Sequence, residues 1–145
     1  MKPSVVVALI VLAALAFSGC TSNSGSQSNC NSAAACMTVT SASFASKNGS
    51  CGLSVGYPVK CHTLSVSIDN RQGKEDFKPA GGWTGVDGSG AGYDGSASGA
   101  PDVITAGGQG QFTVEIARSS GPIVTLFHHK GAAGAMQAPV PSYSV

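Results

Sequence analysis

The stretch "HTLSVSID", residues 62–69, decides the fold class. His62, Leu64, Val66 and Ile68 fall on one side of an extended chain; Thr63, Ser65, Ser67 and Asp69 fall on the other. A period of two marks a strand with one buried face and one wet face. The same alternation recurs in "QFTVEIA" (111–117), where Phe112, Val114 and Ile116 share a side and Glu115 points outward to solvent. "IVTLFHH" (123–129) reads as the last strand and "MTVTSASF" (37–44) as the first.

The segments between these runs are turn-forming. Asn48-Gly49 is a strong hairpin signal. "GLSV" (52–55) is a short alternation, followed by a turn at "GYP" (56–58). Residues 70–82 are polar, with Gly and Pro, and predict an exposed loop. The span 83–102 predicts short strands near Trp83–Val86 and Val103–Thr105, with a glycine-rich loop between them. No amphipathic helix of useful length follows residue 20. Short strands punctuated by Gly, Pro and Asn predict an all-β domain, a sandwich or a barrel.

The N-terminus has a different character. Lys2 precedes an unbroken apolar run, Val5–Phe17. The run is shorter than the roughly 20 residues a spanning helix needs, and it has the length of a signal-peptide core. Small residues and then Cys20 follow. "AFSGC" (16–20) resembles the end of a prokaryotic lipoprotein signal, with Phe17 where that family favours Leu. The resemblance implies cleavage before Cys20 and a lipid, palmitate included, on that cysteine. A plain secretory signal is the alternative. "TSNSGSQSNCNSAA" (21–34) has no large apolar group and behaves as a flexible coil. The expected organisation is a signal peptide over 1–19, a tether over 20–36, a β-domain over 37–130 and a disordered tail over 131–145.

Composition narrows the partners. The chain has 8 Lys and Arg against 7 Asp and Glu, and charged residues make up 10% of it. No basic patch of the kind nucleic acid requires is present. "GAGYDG" (90–95) matches G-x-G-x-x-G, but no helix follows it, so no nucleotide is expected. Asp87, Asp94 and Asp102 lack EF-hand spacing and read as solvated loop carboxylates. No nucleophile motif appears, so the chain is expected not to be an enzyme and to need no cofactor.

The chain has five cysteines. Lipidation of Cys20 leaves Cys30, Cys36, Cys51 and Cys61, an even set that reads as two disulfides in an exported chain. A hairpin over 51–61, centred on Gly56, sets Cys51 opposite Cys61 at bridging distance. That leaves Cys30 with Cys36. A Cys36–Cys61 bridge is the alternative.

Three histidines, His62, His128 and His129, with Met136 nearby in the tail, raise a copper or zinc alternative. Neighbouring strand residues point to opposite faces, so His128 and His129 cannot share a site without a bulge.

The run "TLSVSIDN", the loop with Phe77 and Trp83, then "GSGAGYD", "ITAGGQGQFTVEI" and "IVTLFHH" together resemble a group of prokaryotic surface lipoproteins. These carry a telokin-like, immunoglobulin-like β-sandwich of uncharacterised function. The resemblance, over roughly 37–129, implies a single immunoglobulin-like antiparallel sandwich. The expected role is non-catalytic binding at the cell envelope, anchored by lipid to the cell membrane or outer membrane. The expected partner is an envelope or extracellular protein, met through an exposed sheet edge or the 87–101 loop.

Overall fold

The computed structural model describes residues 29–48, 51, 58–117, 119–130 and 134–145. The leader 1–19, Cys20 and the first part of the expected tether lie outside these. The described residues form seven strands and no helix. They are β1 (Cys36–Asn48), β2 (Pro58–Asp69), β3 (Trp83–Asp87), β4 (Gly92–Ser98), β5 (Gln109–Ala117), β6 (Ile123–His128) and β7 (Met136–Pro139). All belong to one continuous sheet, ordered β1-β2-β5-β4-β3-β6-β7, and every pairing is antiparallel. The sheet curls around its apolar face and stays open between β1 and β7.

The alternation at 62–69 is realised in full. His62, Leu64, Val66 and Ile68 are buried, while the residues between them are half-exposed. Met37 and Val39 from β1 and Phe112, Val114 and Ile116 from β5 join them. Trp83, Ile123, Leu126, Met136 and Ala138 complete the core from the other half of the sheet, with Phe77 and Ile104 as an isolated bridge beneath it. Thus Ile104 pairs with Phe77 alone, where a short strand over 103–105 is expected.

Most of the expected glycine-rich loop is β4. Its sequence, "GYDGSAS", has no large aliphatic residue because it faces the bulkiest side chain in the core. Gly95 lies between Trp83 on β3 and Ile116 on β5. A Cβ there would stand 2.9 Å from Val114 Cγ1 and 3.2 Å from Trp83 Cβ. The indole packs edge-on against Phe112 at 5.5 Å and donates its N–H to the Pro79 carbonyl at 2.6 Å.

Both ends of the domain extend past their expected limits. Asn29–Asn31 pairs back on Ala35–Met37, and Asn31 Oδ1 accepts the N–H groups of Ala33 and Ala35. Ala33 and Ala35 are buried, so residues ahead of Met37 belong to the folded unit. Within the expected disordered tail, Met136–Pro139 is β7, with Met136 and Ala138 buried. Two inward residues two apart are enough for a strand when β6 offers a ladder.

The disulfides are Cys30–Cys36 and Cys51–Cys61. Residues 52–57 of the expected 51–61 hairpin lie outside the described residues. β1 and β2 pair as far as Asn48↔Pro58, and Ala45 stands opposite Cys61. Cys51 instead lies on the outer face of the sheet, with Cys61, Val59 and Ala117 in a small second cluster.

Candidate binding cleft at the open seam

The hydrogen-bond pattern of β7 fixes which of its groups face the seam. Val140 donates its N–H to the Val124 carbonyl at 2.9 Å, and Ala138 stands opposite Leu126. Antiparallel ladders alternate, so even-numbered residues bond to β6 and odd-numbered ones turn outward. Pro139 and Pro141 are both odd. The outer edge of β7 therefore keeps carbonyls there but has no N–H at either position. Across the seam, Met37 donates its N–H to the Asn29 carbonyl at 2.8 Å. Beyond that bond the β1 edge, with Val39 turned the same way, faces β7.

A cleft of about 410 Å³ lies between these edges. Met37, Val39, Ala138 and Val140 form its apolar lining, with Asn29, Thr38, Pro139 and Pro141 at its margin. None of these residues is charged. The cleft suits apolar side chains and backbone donors directed at the proline carbonyls.

The three histidines are not gathered there. His62 Nε2 donates to the Ser119 carbonyl at 3.0 Å, which leaves Nδ1 as an acceptor for the Tyr143 hydroxyl at 2.7 Å. Its ring also lies 4.4 Å from that of Phe44. His128 is buried at the end of β6 against Trp83 and Phe77. His129 is exposed and bonds through Nε2 to the Thr84 hydroxyl at 3.0 Å. Among the described residues no group of three His, Cys, Asp or Glu side chains is placed to hold a metal ion.

Two carboxylates depart from expectation. Glu115 is only 5% exposed, because Lys47 pairs with it on the outer face beside the Cys51–Cys61 cluster. Asp87 is also buried. It accepts the Ser89 N–H and hydroxyl and the Ala91 N–H on Oδ1, and the Tyr93 hydroxyl on Oδ2. The Ser89 hydroxyl is the largest cause holding its pKa below the usual carboxylate value. Asp87 thus closes the β3–β4 turn, and only a short turn remains of the expected 87–101 loop.

Sequence reasoning missed the β7 edge and Tyr143. Two prolines spaced by two do carry a signal, since on a strand they strip one edge and leave the other intact. Tyr143 carries none that a sequence reader could use.

Compared with known protein families, characterised proteins and solved structures, the chain matches none.

Proposed function

We propose that this chain is an extracytoplasmic lipoprotein, anchored through lipidated Cys20, that binds an envelope or extracellular protein without catalysis. The observation that carries the reading is the seam: two sheet edges face an uncharged cleft of about 410 Å³, and one edge offers carbonyls without donors at Pro139 and Pro141. Strand edges and apolar grooves are recurrent sites of peptide recognition. Two cross-links and an uncharged, Ser- and Asn-rich N-terminal stretch suit a domain held off a membrane in an oxidising space. The resemblance to surface lipoproteins adds an immunoglobulin-like arrangement of these antiparallel strands.

Site-specific photo-crosslinking in intact cells tests the binding reading. A photoreactive residue at Thr38, exposed at the cleft, is compared with one at Gln111 on β5, exposed elsewhere. A discrete protein adduct from Thr38 and not from Gln111 supports the proposal. No adduct, or the same adducts from both, refutes it. Mass spectrometry of the mature N-terminus tests the anchor: a free thiol at Cys20, or cleavage elsewhere, removes it.

A further inference from the structure

Beyond that reading, we propose that His128 and Met136 form a buried site for a soft monovalent metal ion of the Cu(I) class. His128 is 2% exposed and its Nε2 has no hydrogen-bond partner. The Gly81 backbone is the imidazole's polar neighbour, and Nε2 is the ring nitrogen left open. A carbonyl holding one ring nitrogen while the other stays open is the usual outer arrangement of a metal-binding histidine. Native cores seldom leave such an acceptor unpaired. A trapped water would need two to four polar partners; the rings of Phe77 and Trp83, at 4.9 and 4.4 Å from the imidazole, offer it none.

Met136 supplies the second ligand. It stands directly opposite His128 on β7 and is fully buried. Opposed residues share a face and hold their Cβ atoms about 4.5–5.5 Å apart. A thioether and an imidazole in an apolar shell select a soft ion over Ca²⁺ or Mg²⁺, and two ligands do not meet the four-coordinate demand of structural zinc.

Ag(I) is the probe, because it needs no reductant that would open the disulfides. Trp83 is the only tryptophan of the chain and touches His128, so its fluorescence reports on the site. The full mature chain should show saturable quenching at one Ag(I) per molecule. Zn(II) should not reproduce it. Met136→Leu conserves volume and should weaken Ag(I) by about tenfold or more, while keeping the wild-type circular dichroism spectrum. Met37→Leu, which removes a buried thioether from the same core, should bind as wild type. Absence of saturable quenching overturns the proposal. So does unchanged affinity in Met136→Leu, or an equal loss in Met37→Leu.

Discussion

The hydroxyl of Tyr143 bonds to Nδ1 of His62 at 2.7 Å and accepts the N–H of Ile123 at the same distance. One phenol oxygen thereby ties the last residues of the chain to β2 and β6. Burial pushes the Tyr143 pKa up, so the donor stays protonated throughout the working range. Tyr143→Phe removes the oxygen and leaves an imidazole acceptor and a backbone donor unpaired. The expected cost is about 2 kcal/mol. Urea unfolding reads it, and hydrogen exchange at the β7 amides should accelerate alongside. An unchanged midpoint would show that water replaces the phenol.

His128 sets a pH dependence. Burial is the main cause that lowers its pKa from the ordinary 6.5 to about 4. The folded ring is harder to protonate than the unfolded one, so unfolding takes up a proton between these values. Stability should therefore fall as pH drops from about 6.5 to about 4 and level off below. His128→Phe, which cannot titrate, should flatten that part of the curve. Unfolding midpoints at a series of pH values give the comparison.

Gly95 is required by its neighbours. Gly95→Ala drives a methyl into Val114, Ile116 and Trp83 and should destabilise by about 1–3 kcal/mol. Gly121 meets nothing within 4 Å, so Gly121→Ala should stay within about 0.5 kcal/mol of wild type. Equal effects at the two positions would mean that β4 does not pack on Trp83.

The Lys47–Glu115 pair predicts a sign pattern. Lys47→Met leaves a carboxylate at 5% exposure without its cation and should be clearly destabilising. Adding Glu115→Leu removes the stranded charge and should recover most of the loss. A double mutant no more stable than the single one would place the cost in packing.

The legible part of this fold is where residues carry enough apolar surface to announce a face. β2, β5 and β6 do so through Leu64, Val66, Val114, Ile116 and Leu126. β4 does not, because Tyr93, Gly95 and Ala97 are chosen to leave room for Trp83, and that requirement exists only once β3 and β5 flank it. Strand order is equally silent: β2 meets β5 with β3 and β4 lying between them in the chain, which no local pattern encodes. Glu115 reads as exposed from alternation alone, since the outer face is covered by Cys51 and Lys47 from a distant part of the chain. The histidines were visible as residues, yet their environments were not. Only the ladder between β6 and β7 reveals that His128 faces Met136.

Strand parity has one more consequence. Seven strands that alternate in direction leave the first and the last running the same way. Any ladder between β1 and β7 would thus be the single parallel joint in an antiparallel sheet, and the prolines at 139 and 141 withhold donors from it. What remains across that joint is contact between side chains, which slides at little cost where a ladder would resist. The span of the curled sheet can therefore vary without breaking a backbone bond, and its capacity to dilate follows from an odd number.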